Sequence, residues 1–379
     1  MSQGEQAPLK GLYIHIPFCV KKCLYCDFYS VGSPSTEIIN QYLSALIKEI
    51  EFQKERLSEI RTVYIGGGTP SILKPEEFAF LLDSLWRYLI PSRIIEFTVE
   101  ANPGTVDRQR LRILKEHGVT RISLGVQSFK ERDLRLLGRS CSLKDVFQAI
   151  EEINALNLDL SIDLIYGIPF QSLDDWIQNL ARVAEIDPGH VSTYELTVEE
   201  ETPFYYEIES GKFQKPPDDV IVSMYEYAVH YLEERGYIHY EVSNFARPGR
   251  ECLHNINYWK RGEYIGLGAG AHSFYDGIRR ENFDDLRAYI NSVNLGRLPY
   301  KKINKLSPED ESMELVMLGL RMKEGISIGE IRGDIFKERF ISNASFLIEE
   351  GLLEKAGDVI RPTLKGFIFL NEVIIRLIR

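Results

Sequence analysis

The chain has 379 residues, 44% of them hydrophobic, and a formal net charge of -11, enough for one large domain plus a smaller one around a sizeable core. The acidic balance excludes a general nucleic-acid surface, whose signature is a basic patch. Met1 to Lys10 lacks an apolar signal core and the apolar run Phe367 to Leu370 is soon broken by Asn371 and Glu372, so stable membrane insertion is not expected.

The first predicted element is a strand, Leu12 to Ile16, which leads into Cys19-Val20-Lys21-Lys22-Cys23-Leu24-Tyr25-Cys26. With five cysteines in all, three of them crowded together, the chain does not read as a disulfide framework; reduced thiols fit a reducing compartment, the cytoplasm. Iron-sulfur clusters are held by thiolates, usually four, so a C-x3-C-x2-C loop with no fourth cysteine nearby would leave one iron open to a small molecule. The spacing also admits a zinc ion on the three cysteines plus His15, or three unrelated buried thiols. Zinc sites usually pair two C-x2-4-C units, and no second pair is present. Cys141 and Cys252 are isolated and read as small buried hydrophobes.

Further strands are predicted at Thr62 to Ile65, Glu96 to Glu100, Arg121 to Val126, Leu160 to Ile165 and Val191 to Leu196. Helical patterns follow at Glu37 to Leu57, Pro75 to Leu89, Asp107 to His117, Leu143 to Leu156, Asp174 to Ile186 and Asp218 to Arg235. This alternation predicts an α/β fold with a parallel sheet; six units make a partial (βα)6 barrel rather than a closed eightfold one. Polar residues fall at or after the strands' C-terminal ends, where such barrels place their chemistry: Cys19, Gly66 to Pro70, Glu100, Gln127, Asp163, Tyr194 and Glu195.

Tyr237 to Tyr300 is mixed in pattern and is expected to extend or cover the barrel. Beyond Ser307-Pro308, a good helix start, the chain reads as three helices and then a hairpin at Leu352 to Pro362, a small winged-helix-like domain. Gly66-Gly67-Gly68 lets backbone approach a ligand, or is only a tight turn. No Lys-Ser/Thr follows it, and neither it nor Gly266 to Gly270 opens a helix in a βαβ setting, so phosphate-loop and dinucleotide readings fall away.

Glu100-Ala101-Asn102-Pro103, Gly125 to Phe129, Arg139 and Asp163 to Pro169 complete an order that, with His15 to Cys19 and the triple glycine, resembles the oxygen-independent coproporphyrinogen oxidase family of radical S-adenosylmethionine (SAM) proteins over most of the first 275 residues. The resemblance implies a [4Fe-4S] cluster on Cys19, Cys23 and Cys26. It also implies SAM contacts from Tyr13, Gly67, Gly68, Thr69, Glu100, Gln127, Arg139 and Asp163. Glu100 is suited to an ammonium, Arg139 to a carboxylate and Asp163 to ribose hydroxyls. Two features separate the chain from the oxidases themselves. Phe28 stands where those enzymes continue with a further cysteine, and His254-Asn255-Ile256-Asn257-Tyr258-Trp259 is similar to the haem-binding motif of the HemW branch, whose members act as haem chaperones.

By composition alone that motif reads as a structural corner, since aromatics at such spacing usually pack. By resemblance, His254 becomes a haem ligand, with Tyr258 and Trp259 covering the macrocycle. The other histidines read as structural or exposed, with His272 expected beside the SAM pocket. The expected domains are residues 1–235 as the partial barrel, 236–305 as the extension with the haem motif and 306–379 as the winged-helix-like domain. The family implies a haem donor, haem-requiring apoproteins, an electron donor and cluster-supported pairing of two copies. The enzymatic alternative is radical decarboxylation of coproporphyrinogen III to protoporphyrinogen IX; a radical methylase or ring-opening enzyme acting on haem shares the same core.

Overall fold

A computed structural model describes residues 9–379; most of the Met1 to Lys10 reading lies outside the described residues. Six strands, β1 (Lys10–Ile16), β2 (Thr62–Gly67), β3 (Glu96–Ala101), β4 (Arg121–Gln127), β5 (Asp159–Tyr166) and β6 (His190–Glu195), lie side by side in sequence order, every pair parallel. The helices between them are α1 (Thr36–Phe52), α2 (Pro75–Trp86), α3 (Arg108–Glu116), α4 (Leu143–Ala155) and α5 (Leu173–Ile186), with α6 (Asp218–Glu233) after β6. Parallel neighbours require such crossovers, which cover one sheet face. On β1 that face carries Leu12, Ile14 and Ile16, all fully buried, while Tyr13 and His15 alternate toward the barrel interior. Helix starts are set locally: Ser142 with Asp145 and Ser172 with Asp175 form capping boxes at α4 and α5.

The stretch from Glu37 to Leu57 is not one helix: α1 ends at Gln53 and a short turn, Lys54–Leu57, follows. Residues after α6 extend the sheet at both margins. β7 (Ile238–Glu241) and β8 (Asn244–Ala246) add antiparallel beyond β6. After helix α7 (Leu253–Trp259), β9 (Glu263–Leu267) joins the free side of β1 as a further parallel strand, and β10 (His272–Tyr275), β11 (Ile278–Asn282) and β12 (Tyr300–Lys305) continue antiparallel. The result is one twelve-stranded mixed sheet, whose curved parallel centre is the partial barrel.

The C-terminal segment departs from the expected order of three helices and a hairpin. α8 (Pro308–Gly319) is followed by a short strand, β13 (Ile326–Ser327), then α9 (Asp334–Glu349), the hairpin β14 (Leu353–Ala356) and β15 (Val359–Pro362), and α10 (Leu370–Ile378). Strand replaces helix because Gly325 holds φ +74 and lies so near Ile360 that a Cβ would meet its carbonyl oxygen at 2.2 Å; β-branched Ile326 then pairs with Ile360. Helices flanking a three-stranded sheet keep the winged-helix-like character. Among the described residues no helix is long and apolar enough to cross a membrane.

Candidate functional site

A cavity of about 470 Å³ occupies the barrel interior. Its mouth is at the C-terminal ends of β1 to β6, and residues singled out in the sequence line it: Cys19, Cys23, Cys26, Gly67 to Pro70, Glu100, Gln127, Arg139, Asp163, Tyr194 and Glu195. They come from separate strand-helix units, and the parallel register brings them to one end.

The cysteine loop is pinned on both sides. Its start, Phe18–Cys19, pairs with Val31–Gly32, and the Leu24 N–H donates to the Leu137 carbonyl at 3.1 Å. All three thiols are free. Two donors approach them: Thr69 Oγ1 lies 3.5 Å from Cys19 Sγ, and Arg139 Nη1 lies 3.7 Å from Cys23 Sγ. Burial pushes the Cys26 thiol pKa up. Arg139 also keeps Nε buried and without a partner, a donor available to an incoming acceptor. No three His, Cys, Asp or Glu side chains among the described residues converge on a single-ion position. His15 has both ring nitrogens engaged, by the Tyr13 hydroxyl at 2.9 Å and the Tyr29 carbonyl at 3.0 Å. The geometry therefore does not assemble the zinc alternative. A four-iron cluster presents separate irons to separate thiolates and needs no common point, so the donor set fits such a group.

The glycines earn their place by close approach. A Cβ on Gly66 would stand 2.9 Å from the Glu100 carboxylate, one on Gly68 2.7 Å from the Phe18 carbonyl oxygen, and one on Gly67, at φ +113, 2.5 Å from the His15 ring. Glu100 accepts from Tyr64 at 2.8 Å and from the Gly67 N–H at 3.0 Å. Burial pushes its pKa up to about 7, with the Asp163 charge adding and the two hydrogen bonds opposing. Asp163 accepts from Ser123 and Ser192, each at 2.8 Å, and from Ser161 at 3.4 Å; burial raises its pKa against those three bonds. Two half-buried carboxylates with spare acceptor capacity suit a cationic, hydroxyl-bearing ligand.

Three expected residues stand apart from the lining. Tyr13 lies behind it, stacked on Tyr64 at 6.3 Å between ring centres, and reaches the site through Tyr64 and Glu100. His272 is exposed and is not among the lining residues. His254 is at the opposite end of the strands: its Nδ1 meets Thr62 Oγ1 at 2.9 Å, its Nε2 meets the Tyr258 hydroxyl at 2.8 Å, and the ring stacks on Tyr64 with 0% exposure. Burial drives its pKa down to about 3. As folded, both nitrogens of this imidazole are hydrogen-bonded within the protein.

Sequence reasoning missed the cavity's foot. Arg121, Ser161, His190, Cys252 and Asn255 line it; Arg121 pairs with buried Glu96 at 3.3 Å and donates to the Arg250 carbonyl at 2.8 Å. The available signal was period-two polarity, Arg121/Ser123 and Ser161/Asp163, on strands whose alternate residues are apolar.

Comparison with known proteins adds the following. Residues 13–183 match the radical SAM superfamily, and residues 306–369 match the HemN C-terminal domain. The chain is 36% identical over 372 residues to the heme chaperone HemW of Bacillus subtilis (strain 168), covering 96% of this chain and 98% of that one. It is 34% identical over 383 residues to the heme chaperone HemW of Escherichia coli (strain K12), covering 97% of each. Among solved structures, coproporphyrinogen III oxidase (HemN) from Escherichia coli, described as a radical SAM enzyme, is similar with a TM-score of 0.85 at 23% identity, covering 98% of this chain and 90% of that one; that likeness is one of fold.

Proposed function

Since the chain belongs to the HemW family within the radical SAM proteins, we propose that it is a haem chaperone that binds haem and hands it to haem-requiring apoproteins. The observation carrying the cofactor part of this reading is the convergence of three free thiols, Arg139, Glu100 and Asp163 on one cavity. Cys19, Cys23 and Cys26 would hold a [4Fe-4S] cluster, which when bound supplies an electron at an iron left open to SAM. Thr69 and Arg139 donate toward the Cys19 and Cys23 sulfurs and would disperse thiolate charge once a cluster is held. Glu100 would accept from the SAM ammonium, Arg139 would pair with its carboxylate, and Asp163 would accept from its ribose, beside the Gly67-Gly68 backbone and Gln127. Tyr13 would act from behind.

Free thiols throughout suit a reducing compartment, and we place the protein in the cytoplasm. A haem donor, an electron donor and a second copy of the chain are the remaining partners of this reading. The alternative is anaerobic decarboxylation of coproporphyrinogen III; Phe28, in place of a further cysteine, favours the chaperone.

The deciding experiment is anaerobic. Cluster-reconstituted protein is incubated with SAM, a strong reductant and coproporphyrinogen III, while haem binding and transfer to a haem-free apoprotein are followed in parallel. Bound and transferred haem with no decarboxylated porphyrin is the expected result. Porphyrin product rising with 5'-deoxyadenosine over many turnovers overturns it.

A further inference from the structure

Haem carries two propionates beside its apolar macrocycle. Arginine suits them better than lysine, because its planar guanidinium takes a carboxylate in two bonds. Charges around α7, the helix with the histidine motif, are distributed unevenly. Arg121 is matched by Glu96 at 3.3 Å, Lys10 is taken by Glu59 and Glu263, and Lys260 pairs with Glu324. Arg321 lies over the Trp259 ring at 5.4 Å with the Glu241 charge acting on it. Past the end of α7 the balance changes: Arg261 and Arg279 share the single carboxylate of Glu314.

Arg279 grips that carboxylate at two points, Nε to Oε1 at 2.9 Å and Nη2 to Oε2 at 2.8 Å, and Arg261 Nε reaches Oε2 at 3.2 Å. Both guanidiniums lie over the Phe274 ring, Arg279 at 4.4 Å and Arg261 at 5.3 Å. Side-chain exposures of 16% for Arg261, 25% for Arg279 and 22% for Glu314 keep the group within reach of solvent yet partly out of it, where charge pairing is screened less. Neighbouring acids are engaged elsewhere. Glu281, two residues along β11, pairs with Lys301 at 3.4 Å; Glu311, one turn back on α8, pairs with Arg332 at 2.9 Å; and Asp310 caps α8 with Ser307. Glu263 is held by Lys10 at 3.1 Å. The two arginines therefore carry one positive charge more than Glu314 cancels.

A short chain of aromatic contacts joins this cluster to His254. The Tyr258 hydroxyl holds Nε2 of His254 at 2.8 Å, and the Tyr258 ring meets Tyr264 edge-on at 4.6 Å between ring centres. The Tyr264 hydroxyl in turn accepts from Arg279 Nη1 at 3.0 Å. Burial falls along the chain, from His254 with no exposure to half-buried Tyr258 and Tyr264. Tyr258 thus stands between the imidazole and the arginines, and its hydroxyl occupies a nitrogen that an iron would take. Glu314 belongs to α8, so the C-terminal domain supplies the carboxylate.

We infer that Arg261 and Arg279 receive the haem propionates when His254 ligates the iron, that Glu314 stands in for a propionate until then, and that Tyr258 turns away from His254 as haem enters. Exchanging one carboxylate for another leaves no guanidinium unpaired, and two propionates balance the two arginines as Glu314 alone does not. This rests on the chaperone reading above.

The test titrates the full-length, cluster-reconstituted protein with haem and with haem dimethyl ester, whose propionates are capped, in the same mild detergent. Wild type is compared with Arg261→Gln, Arg279→Gln, Arg279→Lys, Glu314→Gln and His254→Ala, and Soret absorption and thermal melting are read on each. Loss of a charge-assisted bond predicts that Arg261→Gln and Arg279→Gln each weaken haem about tenfold. Both should keep the wild-type Soret band, since the iron ligand is untouched, and bind the ester as wild type does. Arg279→Lys should recover part of the loss, and Glu314→Gln, with the competing carboxylate gone, should bind haem more tightly than wild type. Unchanged haem affinity in both arginine-to-glutamine variants, with an earlier melt, makes the cluster a clamp between domains and overturns the assignment. An equal loss for haem and ester overturns it too. If those two variants do not fold, Glu314→Gln decides, and haem binding there no tighter than wild type sinks the idea. Wild type that binds no haem, or His254→Ala with an unaltered Soret band, instead defeats the reading on which this rests.

Discussion

Thr62 Oγ1 lies 2.9 Å from Nδ1 of His254, joining the first residue of the second barrel strand to the helix that carries the histidine motif. Glu96 adds to the same joint: its carboxylate accepts from the Leu253 N–H at 2.8 Å and the His254 N–H at 2.9 Å. Thr62→Val removes the hydroxyl while leaving a buried ring nitrogen unpaired, which costs about 1–3 kcal/mol. Urea denaturation should register that loss, and Thr62→Ser should recover most of it.

Acid should find the same joint. The folded protein holds His254 neutral down to about pH 3, whereas the unfolded chain protonates this group near its ordinary value of about 6.5. Below that value the unfolded state binds the extra proton, so stability falls as pH falls, by up to about 1.4 kcal/mol per unit for this group. Buried Glu49 and Glu241, each pushed up to about 7 by burial, act in the opposite sense, losing stability as pH rises toward 7. The comparison is therefore between wild type and His254→Asn: the gap between them should narrow from pH 7 to pH 5. A constant gap would contradict a neutral, buried imidazole.

Glu100 and Asp163 make separable predictions for ligand binding. Losing a charge-assisted hydrogen bond costs about 1.5–3 kcal/mol, so Glu100→Gln and Asp163→Asn should each weaken SAM about ten- to a hundredfold by calorimetry. With the Glu100 pKa at about 7, protonation below that pH removes the acceptor charge, and wild-type affinity should drop between pH 8 and pH 6. Glu100→Gln should flatten this dependence. Unchanged affinity in both variants would remove these carboxylates from the site.

Cys23 and Cys26 are half-buried in a surface loop and carry little of the core. Cys23→Ser and Cys26→Ser should therefore abolish bound iron and sulfide after reconstitution while the melting curve stays close to wild type. Cys141→Ser serves as the control and should leave iron content unchanged, since Cys141 does not line the cavity.

Gly67→Ala tests the close approach behind the site. Its positive φ and the His15 ring 2.5 Å from any Cβ predict a loss of about 1–3 kcal/mol from backbone strain alone, visible as an earlier thermal transition together with weakened SAM binding.

By itself the sequence determined the barrel and its mouth. Strand-helix alternation gives parallel neighbours, and parallel neighbours send every strand's C-terminal end to one side. Residues as far apart as Cys19 and Asp163 thus fall at one mouth by strand order alone. The cluster loop was equally legible, because thiol spacing is local. Which end of the barrel receives His254 was not legible. The motif lies in the segment between β8 and β9, and only the tertiary pairing of β9 with β1 carries it to Thr62 at the foot. Sequence spacing likewise says nothing about whether an imidazole's nitrogens are occupied. That was decided by Thr62 and Tyr258 at His254 and by solvent at His272, because hydrogen-bond partners and exposure are properties of packing between distant segments.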